Sequence, residues 1–304
     1  MSTLTNVLDA DACPACLTRG RATSLTPSLP DGRNATLLRC PSCGTEYWRL
    51  DNKGVDNESE YWEEYKFDLY ADGAVQKAYE ERYERMLSMI ERLGFHPNSV
   101  LDVGGGIGNF AAWLAERGVT SYMTDIDSSA VAAAKERGVQ AVESKDLGSL
   151  VPVDGVDAVT LWDVVEHVAN PAAFVSEALT RLRPGGVLFL ETPDARFPLR
   201  KAVLGVRAAS KGRVDKTGAL YYWEHKVYFT ERGMAMMLMR VGARVVGVER
   251  WTSPRAKMTK LLASDKALGT SAFYRGIGRM YPYADTGIER MRLGNKLIVV
   301  ATKI

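Results

Sequence analysis

The 304-residue sequence predicts an α/β fold, a parallel sheet flanked by helices with a small metal ribbon ahead of it. Three observations predict it. Two C-x-x-C steps stand near the N-terminus. From Ser99 onward short apolar runs alternate with helical patterns, which implies crossover connections between parallel strands. A glycine-rich turn, Gly104-Gly105-Gly106-Ile107-Gly108, joins the first of those strands to the first of those helices. The composition, 46% hydrophobic and 25% charged, excludes wholesale disorder and a fibrous repeat. No uncharged apolar run reaches about 18 residues, so no transmembrane helix is expected. The opening MSTLTNVLDADACPAC has neither the basic start nor the apolar block of a secretory signal, and a cytoplasmic location is expected.

Cys13 and Cys16 form the first step, Cys40 and Cys43 the second, with 23 residues between them, and the chain has no other cysteine. Two such knuckles present four thiolates to one Zn²⁺ at about 2.3 Å from each sulfur. The alternative of two disulfides requires an oxidising compartment, for which the N-terminus offers no signal. A closed four-thiolate site leaves no open position, so the metal is expected to be structural. Strands are predicted over Ala35 to Arg39 and Thr45 to Leu50. Residues 1–58 are thus read as a zinc ribbon and linker, too small to hold a core without metal. Residues 59–98 are read as a helical connector or cap, containing YWEEYKFDLY and an amphipathic helix from Val75 to Leu93. Tyr61, Trp62 and Tyr65 in the former are placed to cover a pocket.

In the remainder, residues 99–304, SVLDVG is the first strand and Asn109 to Arg117 the helix after the glycine turn. Glycines at such a turn remove Cβ atoms, so that a ligand can approach the backbone at a helix N-terminus. TSYMTD, the second strand, ends in Asp125, where a carboxylate can accept both hydroxyls of a ribose. Asp127 competes for that role, but Ser128-Ser129 suggests that it caps the next helix, Ser128 to Arg137. Asp146 follows a short third strand. VDAVTLWDVVEHVANP holds the fourth, and RLRPGGVLFLETP reads as a helix stopped at Pro184-Gly185-Gly186 followed by the fifth. A helix over 231–241, whose methionines read as sheet packing, precedes the sixth strand, ARVVGVERW. The seventh is NKLIVVATK.

This succession resembles the class I S-adenosylmethionine-dependent methyltransferases from Tyr79 to Ile304. The resemblance implies a Rossmann-like seven-stranded sheet and S-adenosylmethionine as cofactor. Asp102-x-Gly104-x-Gly106-x-Gly108 matches the first motif. In the family that loop, Gly105 included, faces the methionine portion of the cofactor, and the acid helps hold its amino group. Asp125 with Ile126 matches the ribose position, and Asp146 with Leu147 the adenine position. Trp162 and Asp163 belong to the fourth-strand motif. The whole chain is similar to a narrower bacterial group that has an N-terminal zinc ribbon and a segment like YWEEY, and that modifies sugars, secondary metabolites or cell-surface precursors. An NAD-dependent reading is disfavoured, because the glycines are not spaced G-x-G-x-x-G. An RNA methyltransferase is the rival within the class. Against it, the interval from Cys13 to Cys43 has few basic residues and no base-methylation motif follows the fourth strand.

A net charge of +2 conceals two basic stretches, Arg196 to Lys216 and Arg250 to Arg279, each with seven basic residues and one acid. They fall in insertions at about 194–224 and 252–294, at the rim where substrate enters, and suggest a small anionic or carrier-bound acceptor. Oxygen is the expected acceptor atom, with carbon or nitrogen as alternatives. Arg196 to Tyr228 is read as a mobile cap, with Tyr221, Tyr222 and Trp223 shielding the sulfonium. His225, beside Glu224, is the candidate base for the acceptor proton. Asp163-x-x-Glu166-His167 is similar to the E-x-x-E-H pattern by which ubiquinone-pathway O-methyltransferases bind a divalent cation. Its first acid is one methylene short, and no catalytic Mg²⁺ is expected.

Overall fold

The computed structural model describes residues 10–23, 25, 35–50, 64–143, 151–152, 154–215, 217–222, 224–264, 287, 291 and 293–304. Near the N-terminus lie strands β1 (Arg21–Ala22), β2 (Ala35–Arg39) and β3 (Glu46–Leu50), then helices α1 (Glu64–Ala71) and α2 (Gly73–Arg92). Alternation begins with β4 (Ser99–Val103), α3 (Asn109–Ala115), β5 (Thr120–Asp125), α4 (Ser128–Glu136) and β6 (Gln140–Glu143). It continues through β7 (Val156–Trp162), α5 (Pro171–Thr180), β8 (Leu182–Pro193) and α6 (Pro198–Ala209). Then come β9 (Val227–Tyr228), α7 (Glu231–Arg240), β10 (Ala243–Trp251), α8 (Arg255–Ser264) and β11 (Lys296–Lys303).

Seven of these strands form one sheet in the order β10-β11-β8-β7-β4-β5-β6. β4 pairs in parallel with both β5 and β7, β5 with β6 and β7 with β8, while β11 runs antiparallel to β8 and β10. The order reverses at β4, so the chain leaves that strand toward one side and returns on the other. Such a switch point opens a crevice beyond the C-terminal ends of β4 and β7. Alternate residues face opposite sides of the sheet. Leu101, Val159, Leu188, Leu190 and Val299 pack with Met234, Met237 and Leu238 of α7. Val100, Ala158, Phe189, Ile298 and Val300 pack with Tyr79, Tyr83, Met86 and Ile90 of α2.

One boundary differs from the expected one. α5 ends at Thr180, and Leu182 already pairs with Val156, so Pro184-Gly185-Gly186 lies inside β8 rather than at a helix stop. The register between β7 and β8 shifts at Val156/Ala158. A Cβ on Gly186 would stand 3.0 Å from the carbonyl oxygens of Arg183 and Asp157, which explains why a glycine occupies that irregularity.

The second sheet has the order β1-β2-β3-β9. Its fourth strand comes from far along the chain: Glu46 lies opposite Tyr228 and Tyr47 opposite Val227. The Thr230 hydroxyl donates to the Cys43 carbonyl at 2.6 Å, and Arg240 Nη1 donates to the Ala15 carbonyl at 2.9 Å. Cys13, Ala15, Cys40 and Tyr47 are buried in the same apolar cluster as Leu101 and Leu188. The ribbon and the large sheet share a core. No helix among the described residues is long and apolar enough to cross a membrane.

Candidate active site

The glycine turn sits where β4 meets α3, at the switch point. Gly104, Gly106 and Gly108 have φ of +73°, +57° and +76°, a region that L side chains rarely adopt. A Cβ on Gly105 would stand 2.4 Å from Met123 Cγ and 2.6 Å from Asp102 Oδ2. The turn's amides are engaged by the protein itself. Those of Gly104 and Gly105 donate to the Thr124 carbonyl at 2.7 and 3.2 Å, Gly106 to Asp125 Oδ2 at 2.8 Å, and Gly108 to the Gly105 carbonyl at 3.0 Å. A pyrophosphate cradle needs such amides pointing at the ligand. This turn instead shapes a close backbone surface for a ligand held by side chains.

Two carboxylates flank it. Asp102 is buried and accepts a 2.8 Å hydrogen bond from Thr160 Oγ1. Burial nonetheless pushes its pKa up to about 7, so it lacks a cationic partner among the described residues and fits an ammonium group. Asp125 ends β5 and accepts from the Gly106 and Asp127 amides, at 2.8 and 3.0 Å; burial raises its pKa as well. Ile126 follows it, half-buried. Asp127 caps α4, accepting from the Ser129 and Ala130 amides at 2.9 and 3.2 Å, and so is turned toward the helix. Asp146, Leu147, Tyr61, Trp62 and Trp223 lie outside the described residues.

At the end of β7, Trp162 packs among Tyr83, Phe110 and Phe189, with ring centroids 5.4, 5.5 and 4.6 Å away. Asp163 has φ +55° and accepts from Lys296 Nζ, with Lys257 Nζ 4.0 Å away. Burial opposes its ionisation, but the Lys296 and Lys257 charges prevail and hold its pKa at about 2. Asp163 is thus engaged by two lysines, and it is not among the groups whose ligand atoms converge with those of Glu166 and His167. The third member of that group is His225. Ligand atoms of Glu166, His167 and His225 lie within 4.8 Å of one another, and the two imidazole rings meet edge to face at 4.6 Å. His167 Nδ1 bonds the Glu224 carbonyl at 3.2 Å. Glu166 accepts from Thr192 at 3.0 Å through one oxygen. Burial, then Asp163, raises the Glu166 pKa far above the carboxylate range. Burial likewise lowers the pKa of His167 to about 4, and that of His225 well below its ordinary value, where the Lys296, Arg200 and Lys257 charges add to it. Such a donor set could hold a cation, since neutral imidazole nitrogens are the form that ligates one.

His225 is fixed by its chain neighbours. The Lys226 and Val227 amides donate to the Glu166 carbonyl at 2.7 and 3.2 Å, and the Lys226 carbonyl accepts from the Trp48 amide at 3.0 Å. This end of the expected mobile cap is therefore stitched to β7's loop on one side and to the ribbon on the other. Glu224 pairs with Lys66 of α1 at 3.4 Å, both side chains largely buried. The basic stretches are also engaged internally: Arg207 with Asp215 at 2.8 Å, Arg250 with Asp194 at 2.7 Å, and Lys257 with the Tyr70 and Tyr79 hydroxyls at 2.8 and 2.9 Å. Arg200 is buried between the Tyr221 and Tyr228 rings. Arg200, Lys66, Lys257 and Lys296 are site residues that sequence reasoning did not single out. A lysine on the strand after an insertion carries no local signal; only folding brings it to Asp163.

The four cysteine sulfurs converge. Cys13 and Cys43 Sγ are 3.7 Å apart, Cys16 and Cys40 3.4 Å, Cys16 and Cys43 3.6 Å. These are the edges of a tetrahedron around a zinc ion about 2.3 Å from each sulfur, and they exceed the roughly 2.05 Å of a disulfide. The cluster is consistent with a zinc ribbon.

A family model described as "Methyltransferase domain" matches residues 76–248. The chain belongs to that methyltransferase family. It is an S-adenosylmethionine-dependent methyltransferase with the family's Rossmann-like sheet. A ubiquinone biosynthesis O-methyltransferase of Xanthomonas euvesicatoria pv. vesicatoria is 30% identical over 186 residues, covering 59% of this chain and 76% of the relative. One of Pseudomonas savastanoi pv. phaseolicola is 31% identical over 110 residues, covering 34% and 47%. The chain thus spans most of the first relative and about half of the second. The solved structure of a SAM-dependent methyltransferase from Archaeoglobus fulgidus aligns with a TM-score of 0.51 and 18% identity, covering 79% of this chain and all of that one. That likeness is one of fold.

Proposed function

We propose that this methyltransferase moves the methyl group of S-adenosylmethionine to a hydroxyl oxygen of a small molecule, with His225 receiving the hydroxyl proton. The acceptor oxygen attacks the methyl carbon, the carbon–sulfur bond breaks, and the sulfonium leaves as the neutral thioether S-adenosylhomocysteine. The sulfonium supplies the activated carbon, so the protein's part is alignment and removal of one proton. Asp102 would hold the cofactor's ammonium group and Asp125 its ribose hydroxyls, with Gly104, Gly105, Gly106 and Gly108 against the methionine chain. Zn²⁺ would be held by Cys13, Cys16, Cys40 and Cys43, where it orders the ribbon.

The observation that carries the reading is the half-buried His225 beside the ends of β7 and β8, whose buried Nδ1 lacks a hydrogen-bond partner among the described residues. That nitrogen is placed to accept the hydrogen bond, and then the proton, of a bound hydroxyl. Glu224 serves a different end from a base: its ion pair with Lys66 and its backbone bond to His167 position the imidazole pair. The O-methyltransferase relatives support oxygen as the acceptor atom.

Incubation with methyl-labelled S-adenosylmethionine and extract from cells lacking this gene tests the reading. A labelled small molecule that releases the label as a methyl ether supports it. Label found in RNA, or on carbon or nitrogen, refutes it.

A further inference from the structure

Five of the ten buried polar atoms without partners among the described residues lie around one tyrosine. Trp48 Nε1, Arg200 Nε and Nη1, Glu166 Oε1 and His225 Nδ1 are all buried and lack a hydrogen-bond partner among the described residues. Their side chains surround Tyr228. Arg200, only 6% exposed, places its guanidinium carbon 4.0 Å from the Tyr228 ring centroid and 4.7 Å from that of Tyr221. The His225 ring stands edge-on to Tyr228 at 5.6 Å, and the Trp48 indole edge-on to Tyr221 at 6.2 Å. The Tyr228 hydroxyl itself donates to the Tyr222 carbonyl at 2.9 Å.

The chemistry of these atoms divides in two. At the Trp48–Arg200 end the unpartnered atoms are all donors, since an indole N–H and guanidinium N–H groups accept nothing. The nearby Glu46 carboxylate is already taken up by Arg39 and Tyr221 at 2.8 Å each. At the His225–Glu166 end there are an imidazole nitrogen and a carboxyl oxygen, which suit a hydroxyl. Buried donors in native proteins are almost always satisfied, so a cluster of unmade ones marks where an acceptor group binds. A guanidinium flanked by aromatic rings is shaped for a planar or tetrahedral oxyanion. The local field has the matching sign, since Lys296, Arg200 and Lys257 all act on His225 as positive charges.

We propose that the methyl acceptor carries a carboxylate or phosphate held by Arg200 and by Trp48 of the zinc ribbon, across Tyr228 from the hydroxyl presented to His225. The inference rests on the methyl-transfer reading above and gives its acceptor a class: a small hydroxyl compound with an anionic group about one ring's width from the hydroxyl. Anion preference then comes from one buried arginine of the first basic stretch rather than from the summed charge of the two stretches. It also gives the ribbon a wall of the substrate site.

The test uses the full zinc-loaded chain with S-adenosylhomocysteine bound. Nitrogen-15 spectra of its six tryptophans are recorded while benzoate, inorganic phosphate or uncharged benzyl alcohol is added at about 0.15 M salt, which screens surface charge but not a buried site. Trp48→Phe keeps the ring and identifies the Trp48 indole resonance by its loss. The expected result is a saturable shift of that resonance with benzoate, phosphate or both, and none with benzyl alcohol; which anion acts decides between carboxylate and phosphate. Arg200→Gln should weaken that binding at least tenfold while S-adenosylhomocysteine affinity stays within about threefold. Should Arg200→Gln fail to fold, calorimetry of anion binding to Trp48→Phe replaces it, with weakened binding expected. A Trp48 resonance that ignores both anions, or responds equally to benzyl alcohol, overturns the proposal and leaves methyl transfer standing. Failure to bind S-adenosylhomocysteine at all overturns the reading beneath it.

Discussion

β4, in the large sheet, has a paired strand on each edge and apolar neighbours on both faces, whereas β3, in the ribbon, lies between β2 and a two-residue strand borrowed from beyond α6. The large sheet is held by burial of Val, Ile, Leu and aromatic side chains, a term that needs no partner from outside. The ribbon instead brings four cysteine sulfurs together, a set consistent with a zinc site, and takes its last strand from β9. Because β9 begins two residues after His225, what disturbs the ribbon also moves the imidazole. The difference teaches that the cysteine-bearing region, remote in sequence from His225, is joined to it directly through β9 and the Lys226 carbonyl.

The largest expected effect lies at the seam between the two regions. His225→Ala should lower turnover roughly 10²–10⁴-fold with cofactor affinity nearly unchanged. A loss of only a few-fold in steady-state assays would reduce His225 to orienting the acceptor. Breaking the ribbon comes next. Purified protein should contain about one zinc per chain, and Cys40→Ser or chelation should cost on the order of 10²-fold in turnover by misplacing His225. S-adenosylhomocysteine affinity, set by β4 and β5, should stay within a few-fold. Equal losses of both on calorimetry would make the ribbon a general stability element instead.

On the large-sheet side, Asp125→Ala should weaken cofactor binding by about 1.5–3 kcal/mol, tenfold or more, while ribbon zinc is retained. Unchanged binding would remove Asp125 from the ribose position. The smallest effect is one of pH. Asp102, with its pKa near 7 against an ordinary value of 3.8, keeps its proton in the folded apo-protein over a range where the unfolded chain has lost it. Apo stability should therefore fall as pH rises from about 4 to 7, and Asp102→Asn should lessen that fall, the raised Asp125 and Glu166 carboxyls supplying what remains. Cofactor binding should strengthen several-fold over pH 6 to 8, since an ammonium group is held by the ionised form. A pH-independent affinity would show that Asp102 does not meet that group.

Local pattern decided much of this molecule. The spans of β5 and β10 coincide with TSYMTD and ARVVGVERW, because the alternation of faces and the bounding turns are written in adjacent residues. The convergence of Cys13, Cys16, Cys40 and Cys43 was legible for the same reason: two short knuckles each fix half of the site. Pro184-Gly185-Gly186 misled because a turn signal read in isolation yields to pairing with β7 when Gly186 accommodates a bulge. What only the tertiary structure decided is which distant groups meet. Asp163 turns to Lys296, 133 residues away, and leaves Glu166 and His167 to His225. Arg200 enters between Tyr221 and Tyr228 beside a ribbon tryptophan. Each of these depends on charge and burial summed over several elements, a sum that exists only once the two sheets have been joined through β9.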